Sequence, residues 1–182
     1  MRLERRDLLL IALALASAAF YVLIPAARGV TGFPLDDAWI HQVYARNLAT
    51  RGEFAFFPGQ PSAGSTSPLW TIMLALGYLV HIDFRAWSYL LGALLIGASA
   101  IVAARLATRI SGSSLFTVYC SLFTAFEWHL VWSAVSGMEI PLFVFLSLLL
   151  LERFYARERV WLIGLIAGLL TLTRPEGVVL AA

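Results

Sequence analysis

Charge-free apolar runs alternate with short polar breaks along this chain. Residues 8 to 27 (LLLIALALASAAFYVLIPAA) carry no charge, and a helix that crosses a bilayer needs about 20 such residues. The run predicts a first spanning helix. Arg2, Arg5 and Arg6 precede it, and basic residues favour the cytoplasmic flank, which places the N-terminus in the cytoplasm. The rival is a signal peptide cut near Ser17-Ala18-Ala19. The run is long for one, and no secreted soluble domain follows.

Residues 28 to 85 then read as an outer loop carrying two interfacial helices. From 36 to 50 the period is helical: Ile40, Val43, Tyr44 and Leu48 share one face, while Asp37 and His41 lie a turn apart on another. This predicts an amphipathic helix lying on the membrane surface. GQPSAGST reads as loop. Ser67-Pro68 reads as an N-cap followed by proline in the first turn of an apolar helix over 68–82. Further spans are predicted at 86–106, 113–135, 139–155 and 160–174. The last two have short uncharged cores, so they cross only with their terminal arginines and glutamates reaching to the interface.

Parity settles the path. If 68–82 crossed, Arg105 and Arg109 would lie outside. If it stays at the interface, Arg105/Arg109 and Arg153/Arg157/Arg159 all fall inside with the N-terminus, as the positive-inside rule prefers. Asp36, Asp37, His41, Ser65, Thr66, Glu139, Arg174 and Glu176 then gather at the outer face. The expected fold class is an all-α polytopic transmembrane bundle with juxtamembrane amphipathic helices, one module over residues 1–182. The expected location is the plasma membrane. The chain ends in an apolar run, Val178 to Ala182, and reads as the N-terminal part of a longer protein.

Composition agrees. Of 182 residues 60% are hydrophobic and 13% charged, against about 25% charged in soluble domains. Mean hydropathy is +0.83. All 13 basic residues are arginine and the net charge is only +2, so no nucleic-acid partner is expected. The single cysteine, Cys120, forbids an intrachain disulfide and a thiolate metal site. Its neighbours Tyr119 and Leu122 suggest a buried, inert thiol. No CxxC, P-loop or GxGxxG occurs, so redox, ATP-driven and dinucleotide chemistry gain no support.

Asp36-Asp37 is the most informative pair. Aspartate suits an N-cap and a first turn, which explains one acid better than two. A carboxylate pair at an interface also serves as a general base, or holds a metal or a sugar hydroxyl; the two explanations stand about even. Glu127 lies in the apolar string TAFEWHLVW, where an acid marks a site, a partner or the outer end of a helix. His129 is two residues on, off the same helical face. Glu139 fits the start of a helix as helix electrostatics favour, or a second outer carboxylate facing Asp36 and Asp37. Arg174 and Glu176 make an interfacial pair at a kinked helix end, or Arg174 binds phosphate. The tryptophans (Trp39, Trp70, Trp87, Trp128, Trp132, Trp161) read as an aromatic belt.

In segment order, DDAWIHQVYARNLATRGEFAFFPGQPSAGSTSPLW, SGMEIPLF and LTRPEG resemble the N-terminal module of GT-C class membrane glycosyltransferases. The branch resembled is that of the terminal arabinofuranosyltransferases; protein O-mannosyltransferases and lipid A aminoarabinose transferases are more distant. The resemblance implies a polyprenyl-phosphate sugar donor, an inverting transfer to a hydroxyl of a glycan, lipid or protein, and a role in cell-envelope glycans. It implies Asp36 and Asp37 as the acidic motif: one the catalytic base, or Asp37 a ligand where a divalent metal is used. It implies Glu139 as a later acid at that face, and Arg174 on the donor phosphate. His41, Ser65, Thr66 and Glu176 complete the expected substrate-binding set. Members carry more helices and usually a soluble outer domain, so a missing C-terminal region or a partner subunit is implied. Two other classes compete: a non-catalytic membrane subunit, and a transporter working through Glu127, disfavoured because no internal repeat is evident.

Overall fold

The computed structural model describes residues 4–181; Arg2 lies outside them. The chain is mostly helical. In order come α1 (Arg5–Ala27), α2 (Asp36–Arg51), a hairpin of β1 (Ala55–Phe57) and β2 (Gln60–Pro61), α3 (Pro68–Leu79), α4 (Phe84–Ser111), α5 (Ser114–Phe126), α6 (Trp128–Ala134), α7 (Ile140–Tyr155), α8 (Val160–Thr173) and α9 (Gly177–Ala181). Two of these, α1 and α4, are long and apolar enough to cross a membrane.

Local chemistry sets several boundaries. Glu4 and Asp7 form a reciprocal capping box at the start of α1. The Asp83 carboxylate accepts from the backbone N–H groups of Arg85 and Ala86, both at 3.0 Å, and so starts α4. The segment 81–85, which interrupts the apolar pattern, is thus a helix cap. Proline opens α3 as expected, but the Ser67 side chain makes no cap bond.

Three expectations need correction. The predicted helix 113–135 is two helices. Glu127 between them is extended (φ −57, ψ 123), and its carboxylate accepts from the Leu130 N–H at 2.9 Å, capping α6. The break also brings His129 Nδ1 within 2.6 Å of Glu127 Oε1, which a continuous helix would prevent. Second, Cys120 is half-buried beside an exposed Tyr119. Third, Trp70 is a core residue, and its indole N–H donates to the Gly137 carbonyl at 3.0 Å. In α2, His41, Gln42, Tyr44, Ala45 and Asn47 are buried, and Ile40, Val43 and Leu48 are half-buried. The Asn47 amide donates to the carbonyls of Ala55 (2.9 Å) and Phe56 (3.1 Å), fastening the hairpin to α2.

The central helix is α4, flanked by α1, α5, α6 and α7. Its seam with α1 and α6 is built from small residues. Ala14 and Ala18 of α1 meet Ala93, Ile96, Ala134 and Val135. A Cβ on Gly92 would lie 1.9 Å from the Ala134 carbonyl oxygen, so only glycine admits this approach; small residues let helix backbones close on one another. A larger cluster joins Trp70 and Leu74 of α3 to Leu142 and Leu146 of α7 and to Ile166 and Leu170 of α8.

The contacts sort the helix ends into two groups. Arg105 of α4 pairs with Asp7 of α1, Thr108 of α4 bonds Thr117 of α5, and Arg109 of α4 pairs with Glu152 of α7. The opposite end holds α2, the hairpin, α3 and the start of α7. Both ends of α3 are fastened there: Thr71 to Ser65 at 2.9 Å, Tyr78 to Gln42 at 3.0 Å, and the Met73 carbonyl to Trp87 at 2.9 Å.

Candidate functional site

The α2 end gathers residues from four separated segments. His41, on the second turn of α2, places Nε2 3.2 Å from Oε2 of Glu139. Glu139 stands in the turn ahead of α7, outside the helix. Its other oxygen, Oε1, lies 3.4 Å from Nη1 of Arg174, which follows α8. On the far side of the imidazole, His41 Nδ1 is 3.1 Å from Ser65 Oγ, which is 2.9 Å from Thr71 Oγ1. A polar chain therefore runs Arg174–Glu139–His41–Ser65–Thr71.

Burial makes this chain costly unless its members match. The His41 and Glu139 side chains are each only 4% exposed, and a buried carboxylate needs a charged or hydrogen-bonding partner. Burial pushes the Glu139 carboxyl up, but the adjoining His41 ring, a backbone N–H and the charges of His41 and Arg174 outweigh it. The group ends below the ordinary glutamate value. Oε2 has no aligned hydrogen-bond donor among the described residues, so its contact with His41 is mainly electrostatic. Gly137 shapes the turn before Glu139: its φ is +81, and a Cβ there would meet the Phe33 ring at 2.7 Å.

Arg174 is more open, 38% exposed, and also reaches Glu176 at 3.4 Å. Its fork thus spans one buried and one exposed carboxylate. Asp36 and Asp37 form the first turn of α2, both exposed and with no hydrogen bond or ion pair among the described residues. Helix geometry sets Asp37 one turn ahead of His41 on the same face. The structure therefore brings His41, Ser65, Glu139, Arg174 and Glu176 into one contact chain, with Asp37 a turn from its middle. Thr66 is exposed and outside the chain.

Among the described residues no three His, Cys, Asp or Glu side chains converge. Thr71 is a participant the pattern did not single out; a lone threonine within the apolar run LWTIML is the available signal.

No protein-family model, curated protein or solved structure matches this chain.

Proposed function

We propose that this chain is a membrane glycosyltransferase module that moves a sugar from a polyprenyl-phosphate donor to an acceptor hydroxyl at the non-cytoplasmic face. One observation carries the reading. The three segments that resemble GT-C enzymes, DDAWIH, SGMEIP and LTRPEG, meet through His41, Glu139 and Arg174. In this reading the bundle is polytopic. Its arginine-rich end faces the cytoplasm by the positive-inside bias, and α2 and α3 lie at the outer interface.

The chemistry follows from the roles these groups fit. Asp36 or Asp37 takes the proton of the acceptor hydroxyl. The oxygen attacks the anomeric carbon as its bond to the phosphate oxygen breaks, inverting that centre. The electron pair leaves on the lipid phosphate, and the Arg174 guanidinium compensates its charge. Glu139, beside His41, holds one side of the Arg174 guanidinium while the exposed Glu176 yields the other to the phosphate.

The test is transfer from radiolabelled polyprenyl-phosphate sugars in membranes containing the full chain, wild type against Asp36→Asn and Asp37→Asn. Loss of transfer in at least one variant is expected; undiminished transfer in both removes the assigned roles. A second reading, a non-catalytic membrane subunit, draws on one fact: both sides of the Arg174 fork are already engaged by carboxylates. On that reading Arg174→Gln lowers stability, and no transfer is lost because none exists.

A further inference from the structure

A cavity lies apart from this chain of residues. It holds about 520 Å³ between the end of α1, the segment 30–34, the start of α4 and the end of α6, with Tyr21, Val22, Phe33, Tyr89 and Trp132 among its walls. Phe33 separates it from the polar site: the ring contacts Trp39, Phe84 and Tyr89 and abuts Gly137. The volume falls within the roughly 300–1,000 Å³ typical of ligand sites.

Its lining selects the ligand. The walls are mainly apolar and aromatic, and water needs two to four polar partners to settle in such a space. The charged groups on the lining are Asp83 and Arg85, of opposite sign and 3.5 Å apart. Two smaller cavities continue the path along α1. One of about 240 Å³ shares Val22 and Tyr89 with the first and reaches Leu15 and Ala93; the other, of about 290 Å³, shares Tyr21 and reaches Leu13 and Phe126. An apolar path thus runs lengthwise beside a helix long enough to cross a bilayer.

We propose that this cavity binds a zwitterionic membrane phospholipid, with an acyl chain along α1 and the head group between Arg85 and Asp83. An elongated hydrocarbon chain uses the lengthwise path, as a compact soluble ligand does not. The guanidinium matches a phosphate. Asp83 spends Oδ1 on the two cap N–H groups, and those bonds hold the acid below the ordinary aspartate value, so it faces the ammonium ionised. A purely anionic lipid would set a second negative charge against Asp83. The site stands independently of the transferase reading.

The test uses the full chain purified in mild detergent, stripped of lipid and mixed with phosphatidylethanolamine or phosphatidylglycerol, with retained lipid read by intact-complex mass spectrometry. Phosphatidylethanolamine is expected to be retained about tenfold better. Val22→Trp, which fills the cavity, is expected to abolish that retention, and Arg85→Gln to weaken it. A diazirine-bearing phosphatidylethanolamine covers the case in which Val22→Trp does not fold: it is expected to mark peptides containing residues 18–25 or 83–93 of the unmodified chain. Equal retention of the two lipids, retention unchanged in a folded Val22→Trp, or marking confined to other segments overturns the proposal.

Discussion

The two ends of the bundle treat acidic side chains differently. At the arginine-rich end, Asp7 is 3% exposed and pairs with Arg105 at 3.5 Å; Glu152 is 2% exposed and lies between Arg109 at 2.8 Å and Arg153 at 3.1 Å. These pairs join α1 to α4 and α4 to α7, and each buried acid has an arginine of a neighbouring helix beside it. At the α2 end, the buried Glu139 is shared between a histidine and a half-open arginine, while Asp36 and Asp37 have no partner among the described residues. Closed pairs lock helices together. Two unclaimed carboxylates beside a buried His–Glu–Arg chain retain capacity for a ligand; arginine exposure does not separate the ends, since Arg109 is 47% and Arg174 38% exposed.

The largest expected effect comes from opening a lock. Arg109→Ala with Arg153→Ala strands Glu152 as a buried, unpaired charge, which costs about 3–5 kcal/mol. Chemical denaturation in detergent should show that loss, and adding Glu152→Leu should recover most of it. The reverse pattern is expected for Asp36→Asn and Asp37→Asn. Sugar transfer should fall by about 10²–10⁴-fold, the usual contribution of a general base, while stability stays within about 0.5 kcal/mol because both are exposed. A stability loss matching that of the arginine pair would erase the distinction between the two ends.

Glycine substitutions sharpen the contrast on a smaller scale. Gly137→Ala combines positive φ with a clash on Phe33, whereas Gly112 at the other end has positive φ and open space. Gly137→Ala is expected to cost about 1–3 kcal/mol, and Gly112→Ala about 1 kcal/mol, both read from denaturation midpoints.

The smallest effect is in acid. Burial raises the Glu139 carboxyl, yet His41, the backbone N–H and Arg174 leave it lowered in the folded protein relative to 4.5. A carboxyl lowered on folding adds stability that is complete above the unfolded value and is lost as pH falls through the folded one. Stability profiles taken downward from neutral pH should therefore fall less steeply in Glu139→Gln than in the wild type.

Much of the helical layout was legible because apolar runs of sufficient length leave few alternatives. The first run, 8–27, lies within α1, and 36–50, 139–155 and 160–174 each fall within one residue of a helix at both ends. The break at Glu127 was not legible, since TAFEWHLVW reads as one continuous apolar run and only the extended backbone reveals a cap. Periodicity marks α2 as a helix but does not show which of its polar residues turn inward: the hairpin, Ser65 and Glu139 supply partners for Asn47 and His41 from distant segments. Candidate site residues were legible as types, while the contact joining His41, Glu139 and Arg174 arises from packing of α2 against the turns around α7 and α8.

Labelling of intact cells tests the central claim most directly. In a Cys120→Ser background, single cysteines replace Thr66 and Glu176 at the α2 end and Arg157 beyond α7, all exposed, and a membrane-impermeant maleimide is applied. Modification of positions 66 and 176 in intact cells, with position 157 reacting only after permeabilisation, is the expected result. If 66 and 176 fall on opposite sides of the membrane, or both share the side of 157, the non-cytoplasmic site does not exist.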